Sequence, residues 1–362
     1  MSRVAIFTPH VTTGAAVSSD ALGMQKVLEA HGHDARLYAE SWDLERARIW
    51  SVNEINGFLT NTDDILIYHH SIGWGPGLEL LLNLQCRKVI KYHNITPGQF
   101  FANISPWHEE KCHDGRQQVR AIAAAHCDLY LADSDYNRQE LLTAGVDPSQ
   151  SFVVPPFHQI DELHDIEADL KTLDAYRDGQ TVIVCVGRIA PHKGQLDLIE
   201  AFAAYHHDYN RESRLLLVGR EQAAFESYSM QLRGRLKFFY LDDAVVFIGE
   251  VPDAALKACY LLGNAFVFAG EHEGFCLPLV EAMAMKVPIV AYEAAAIPET
   301  VGDAGILLDE RDPYLMAESI NSVVSEEAVN VALGMLGRNR YEQNFTHRHI
   351  ENKFLQALGN LD

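Results

Sequence analysis

Short β-branched or aromatic runs alternate with stretches of helical period along nearly the whole chain, and no other feature constrains the fold as much. Strand followed by helix in repetition marks βαβ units, because parallel strands need a crossover connection of a dozen or more residues. Strands are predicted near residues 4–8, 35–38, 65–69, 88–92, 128–132 and 152–154, with helices over 15–30, 116–126 and 137–143. Pro155-Pro156 stops this series, and a polar, acidic stretch runs from Asp161 to Gln180. A second series opens at 181–187 and continues near 214–219, 244–249, 265–269 and 287–292; beyond 306–308 the chain reads as helical. The predicted class is α/β, with two doubly wound, Rossmann-like parallel-sheet domains facing a cleft and a helical C-terminal segment. The domains are placed at 1–165 and 166–362 with a linker around 157–178, the last helix being free to pack back on the N-terminal domain.

Composition narrows the function. Apolar residues make up 48% and charged residues 22% of the 362, an ordinary globular balance that excludes disorder and disulfide scaffolds. Lys and Arg total 29 against 50 Asp and Glu, a net charge of −21 with the acidic excess spread along the chain. A nucleic-acid binder needs a basic face to displace counterions, and no such run is present. Attraction to an anionic membrane is disfavoured on the same ground, although a local basic patch can hide inside a negative total. Six scattered cysteines without a C-x-x-C pair read as buried hydrophobes in a reducing compartment. The apolar run near the N-terminus spans only Val4 to Phe7, too short for a signal core, and no stretch nears the ~20 apolar residues of a membrane span. The expectation is a soluble, cytoplasmic chain without a transmembrane segment, peripheral membrane contact staying open.

In open α/β sheets, ligands bind outside the carboxyl ends of the strands, so residues just after strands carry the chemistry. Gly187-Arg188-Ile189-Ala190-Pro191-His192-Lys193-Gly194 follows the strand TVIVCV and opens a helix. Helix N-terminal amides and two flanking cations suit a phosphate there. The alternative is a loop with two solvated charges. It is not a P-loop, because G-x-x-x-x-G-K-[ST] is absent. A second segment, Glu271-His272-Glu273-Gly274-Phe275-Cys276-Leu277-Pro278 continuing to Glu281, follows the strand AFVF. Pro278 suits a first helical turn, which leaves the amides of Phe275, Cys276 and Leu277 pointing outward. Two carboxylates beside a row of donors suit a polyhydroxylated, anionic ligand. Acidic residues at a helix start also favour the dipole, which accounts for Glu273 but not for Glu281 in its apolar stretch.

These two segments together resemble retaining family-four glycosyltransferases with the GT-B fold, most specifically between about 181 and 310. The resemblance implies that Arg188 and Lys193 bind the donor diphosphate, that Glu273 contacts the donor sugar and that Glu281 contacts the ribose. Gly274, Phe275, Cys276 and Leu277 complete the donor site, and Gly14 belongs to a first loop where the family often carries paired glycines. His93, in Lys91-Tyr92-His93-Asn94, stands where the family keeps a histidine near the reacting sugar. The expected catalytic set is therefore His93, Glu273, Arg188 and Lys193, with no metal and no cofactor. The sequence departs from the family's habits at Ala15, at Gly270 and at Cys276, where glycine is common. The His-Glu-Gly-Phe-Cys variant is similar to enzymes of bacterial surface-polysaccharide assembly. It implies transfer of a hexosyl group from a GDP- or UDP-sugar to a hydroxyl of a glycan or glycolipid acceptor.

Several other patterns point elsewhere. Asp133-Ser134-Asp135 reads as D-x-D, the metal–diphosphate motif of the other glycosyltransferase architecture, but Ser134 or Asp135 also suits an N-cap. His108 and His113 are five apart, which puts them on different faces of a helix rather than on one zinc site. His69-His70 and His206-His207 lack partners at ligand spacing. Gly73-Trp74-Gly75-Pro76-Gly77 reads as a turn, and Trp74 and Trp107 as sugar-stacking or packing residues. Two rival functions remain. One is a phosphorylase or epimerase on the same plan, since a shared fold does not fix function. The other is a degenerate, non-catalytic nucleotide-sugar-binding subunit of a glycan assembly complex.

Overall fold

The computed structural model describes residues 2–44 and 47–361. Its contacts divide into two compact units, Met1–Gln99 with Trp107–Gln159 and His347–Asp362, and Phe100–Pro106 with Ile160–Thr346. Residues 100–106 and 160–165, placed with the N-terminal domain from the sequence, thus group with the second unit, and 347–362 group with the first. Helix His347–Leu358 joins the first unit because Ile350, Phe354 and Ala357 complete a core with Val4, Ile6, Val154 and Phe157.

The first unit holds β1 (Arg3–Val11), β2 (Asp34–Trp42), β3 (Ile49–Ser51), β4 (Ile65–His70), β5 (Arg87–Tyr92), β6 (Leu129–Ala132) and β7 (Ser151–Val153). They pair in parallel in the order β3-β2-β1-β4-β5-β6-β7. Every residue of β4 is buried, as expected of a parallel strand covered on both faces. The order reverses between β1 and β4, and His69 and His70 end β4 beside that switch point. Edge strand β3 escaped prediction because three half-buried residues carry no period.

The second unit holds β8 (Thr181–Val186), β9 (Ser213–Val218), β10 (Val245–Gly249), β11 (Ala265–Phe268), β12 (Ile289–Tyr292) and β13 (Gly305–Leu308), in the parallel order β10-β9-β8-β11-β12-β13. Here β8 and β11 are neighbours although about eighty residues separate them, with Ala265 opposite Ile183 and Phe266 opposite Val184. The loops after both strands therefore emerge side by side. Helices Pro313–Ser325 and Glu327–Asn344 close the unit. No helix of the described residues is long and apolar enough to cross a membrane.

Two local expectations need correction. The acidic stretch after Pro156 carries helices Ile160–Asp165 and Leu170–Tyr176, the second capped by Asp169, whose carboxylate accepts from Thr172 N–H at 2.8 Å. The Gly73–Gly77 run is not only a turn, because helix Gly75–Asn83 opens inside it with Pro76 in its first turn. Trp74 is buried there and donates its Nε1–H to Glu40 at 2.9 Å, so it serves packing.

Candidate functional site

In the second unit, the loop after β8 and the loop after β11 are joined by their backbones. Glu271 N–H donates to His192 O at 2.8 Å. Gly194 takes φ +67°, and a Cβ there would lie 1.9 Å from Ala269 O, so a side chain would push the loops apart. That approach brings Lys193 Nζ to 2.5 Å from Glu273 Oε1. The pair is well shielded, with side chains 13% and 8% exposed. Arg188 lies exposed on the same loop, whose course is held by Gln195 Nε2–H donating to Arg188 O at 3.0 Å. The Tyr228 hydroxyl in turn donates to Gln195 Oε1 at 3.1 Å.

Glu273 and Gly274 lead into helix Leu277–Ala284, whose N-cap is Cys276. Cys276 adopts φ +68°, the left-handed region that costs an L-residue about 1–2 kcal/mol. Burial, then the nearby Glu273 carboxylate, pushes its thiol well above the usual range, so it stays a neutral hydrophobe. Phe275 packs on Phe345 at 5.6 Å, and its carbonyl accepts from the Thr300 hydroxyl at 2.7 Å. Neither helix Leu277–Ala284 nor helix Gln195–Asp208 has a side-chain cap on its N-terminal amides. Both therefore offer positive partial charge beside Lys193 and Glu273.

Glu281 stands apart from the cations. Its Oε2 accepts from the Tyr260 hydroxyl at 2.6 Å. Burial pushes its carboxyl up to about 7 against the hydrogen bond from Tyr260, which works to lower it. Tyr260 is fully buried and its own hydroxyl is held well above 10, first by burial and then by Glu281.

In the first unit, Gly14 is exposed with φ +72°, a turn that suits glycine between β1 and helix Ala16–Ala30. His93 follows β5, its side chain only 5% exposed, in a network the sequence did not reveal. Its Nδ1 lies 2.9 Å from Asp133 Oδ2 and its Nε2 lies 2.9 Å from His69 Nδ1. Lys91 Nζ sits 2.6 Å from Asp133 Oδ1 and 3.8 Å from Asp20 Oδ2, and it donates to Val154 O. Asp20 accepts from Phe157 N–H at 2.7 Å. Burial, ahead of the opposing pull of Lys91 and His93, raises the Asp20 carboxyl above its usual range. Burial also works to raise Asp133, but His93 and Lys91 outweigh it and hold that carboxyl low. Burial, then His93 and Lys91, pushes His69 well below 6.5, so it is neutral at neutral pH.

Asp20, His69 and His93 bring donor atoms within 4.8 Å of one another, spacing that a metal ion could use. The direct His69–His93 contact occupies a donor atom of each ring, and the Lys91 ammonium already lies against both carboxylates, so these residues suit a salt-bridged network better. The D-x-D pattern is divided: Asp133 faces His93, Ser134 caps helix Asp135–Thr143 by accepting from Asn137 N–H, and Asp135 pairs with Arg138. His69, set aside for want of a ligand at sequence spacing, finds its partners through the fold. One signal was legible for Asp20, an acid four residues before Met24 on the buried face of its helix.

Residues 172–340 match the family described as glycosyl transferases group 1. They form a group 1 glycosyltransferase domain. Beyond it, the chain is 25% identical over 275 residues to the O-antigen chain mannosyltransferase B of Escherichia coli, covering 74% of this chain and 65% of that protein. It is 30% identical over 172 residues to the capsular polysaccharide biosynthesis glycosyltransferase CapM of Staphylococcus aureus, covering 47% and 43%. The chain thus spans less than two thirds of the length of these curated relatives. The crystal structure of Anabaena HepE in complex with UDP and glucose aligns with a TM-score of 0.79 at 16% identity, over 99% of this chain and 100% of that one. That likeness establishes the fold, GT-B. The glycosyltransferase domain contains both joined loops, the Lys193–Glu273 pair and Glu281 with Tyr260.

Proposed function

We propose that the chain is a metal-independent, retaining glycosyltransferase of polysaccharide or glycan biosynthesis. It moves a hexosyl group from a UDP- or GDP-hexose to a hydroxyl of a glycan or glycolipid acceptor. The observation that carries this reading is the Lys193–Glu273 pair set beside two uncapped helix N-termini. Cations and free amides suit a diphosphate, and a carboxylate at the same place suits sugar hydroxyls. Relatives named as mannosyltransferases and a structural neighbour holding UDP and glucose support the donor class.

In this reading Arg188 and Lys193 bind the diphosphate, Glu281 the ribose, and Glu273 with Gly274, Phe275, Cys276 and Leu277 the sugar. The bond from the anomeric carbon to the β-phosphate oxygen breaks while the acceptor oxygen bonds to that carbon on the same face. The acceptor's proton passes to the departing phosphate. Charge grows on that phosphate as the bond opens, so Arg188, Lys193 and the helix amides stabilise the transition state more than the bound donor. No nucleophilic side chain and no metal is required. Within the first unit the reading assigns Gly14 and His93, the latter held by Asp133 and His69, to sugar and acceptor recognition.

A thermal-shift screen against UDP-, GDP-, ADP- and dTDP-sugars, followed by a transfer assay in excess chelator, tests the proposal. A UDP- or GDP-hexose should stabilise the protein and turn over with retention. Binding without turnover on any acceptor pool would favour the non-catalytic subunit, and turnover restored only by Mn²⁺ would overturn metal independence.

A further inference from the structure

We propose that Tyr260 is a positioning residue for nucleotide binding: its hydroxyl holds Oε2 of Glu281, which leaves Oε1 to the ribose hydroxyls of a nucleoside diphosphate. The inference rests on the donor-site reading above, and it assigns a part to a residue outside both sequence segments.

The geometry is one of enforced orientation. Tyr260 is wholly buried in helix Asp253–Leu262, its ring stacked on Phe266 of β11 at 6.0 Å. A ring packed that tightly has one place for its oxygen, and there it meets Glu281 Oε2 at 2.6 Å and Pro278 O at 3.3 Å. Among the described residues no hydrogen bond reaches Glu281 Oε1. The side chain is half-buried, so the second oxygen has a route to a ligand. A carboxylate fixed at one oxygen loses less rotational freedom when the other binds, which is preorganisation.

The same bond tunes the charge. The Tyr260 hydroxyl donates at all working pH, since its own titration is displaced far upward. It favours ionised Glu281 against burial, while Asp253 on the same helix opposes ionisation. Arg338, from helix Glu327–Asn344 packed on helix Leu277–Ala284, donates to Ala284 O and balances Glu342 rather than Glu281. Glu281 therefore ionises near neutrality, and nucleotide affinity should fall as pH drops through about 7.

The test uses the full chain, with UDP and GDP as probes in calorimetry from pH 6 to 9 and ¹³C NMR titration of the Glu281 carboxyl, assigned by its loss in Glu281→Gln. In Tyr260→Phe the carboxyl midpoint should move upward, affinity at pH 8 should fall about tenfold, and the pH dependence should shift with the midpoint. In a Glu281→Gln background the same tyrosine change should cost threefold or less. Unchanged fluorescence and thermal unfolding in Tyr260→Phe would confirm that the fold is intact; a variant that fails to fold is replaced by Tyr260→His, which keeps a ring donor and should retain part of the affinity. Wild-type binding with an unmoved midpoint or unmoved affinity in the variant would overturn the tyrosine's role. A wild type that binds no nucleoside diphosphate would overturn the donor-site reading, and this inference with it.

Discussion

Lys193 Nζ and Glu273 Oε1 lie 2.5 Å apart, so the cation assigned to the diphosphate and the carboxylate assigned to the sugar are each other's counter-ion. The pair sits where shielding is nearly complete, and removing one partner leaves a buried, uncompensated charge. Lys193→Met should lower unfolding free energy by about 3 kcal/mol, read by urea denaturation. The double variant Lys193→Met with Glu273→Gln should recover most of that loss. A single variant as stable as wild type would show that the pair is solvated.

Arg188 offers the contrast, because it is exposed. Arg188→Ala should change stability by less than about 0.5 kcal/mol. Loss of a charge-assisted contact of about 1.5–3 kcal/mol should nonetheless weaken UDP or GDP binding roughly tenfold to a hundredfold. Transfer rate should fall further than affinity, since the contact strengthens as the phosphate gains charge. Parallel calorimetry and transfer assays check both, and equal losses would mean that the arginine only holds the donor.

Glu281 makes stability depend on pH with a defined sign. Its carboxyl is raised from 4.5 to about 7 in the folded chain, so between those values the folded state binds more protons than the unfolded one. Stability contributed at low pH is lost as pH rises through that window. Glu281→Gln, which cannot ionise, should exceed wild type at pH 8 by about 1–3 kcal/mol and lose that advantage near pH 5. Thermal unfolding of both proteins at the two pH values reads the difference, while nucleotide affinity should move the opposite way.

The network around His93 should behave as a unit. Asp133→Asn leaves Lys91 and His93 beside one carboxylate instead of two and should cost about 3 kcal/mol. The Asp133 carboxyl is held below 3.8, so its contribution is present above that value and lost as pH falls through the folded titration. The gap between wild type and variant should therefore close in acid. Adding Lys91→Met to Asp133→Asn should restore part of the stability, and strict additivity of the two losses would show that they do not share one network.

Two parallel sheets were legible in the sequence because the evidence for them is local. Apolar runs such as 65–69 and 181–187 declare buried strands wherever they stand, and Gly194 and Pro278 mark a loop end and a helix start by backbone preference alone. For the same reason Lys193, Glu273 and Glu281 could be singled out as candidate site residues. Their partners could not. Lys193 meets Glu273 across eighty residues only because β8 and β11 are adjacent, and Tyr260 reaches Glu281 from another helix. Beside Lys91, two residues back on the same strand, His93 gathers Asp20, His69 and Asp133 from one helix and two other strand ends, none at a spacing that sequence could relate. Strand order and the close approach of loops decide which charges lose water together. That pairing, absent from any local pattern, sets their ionisation and orientation.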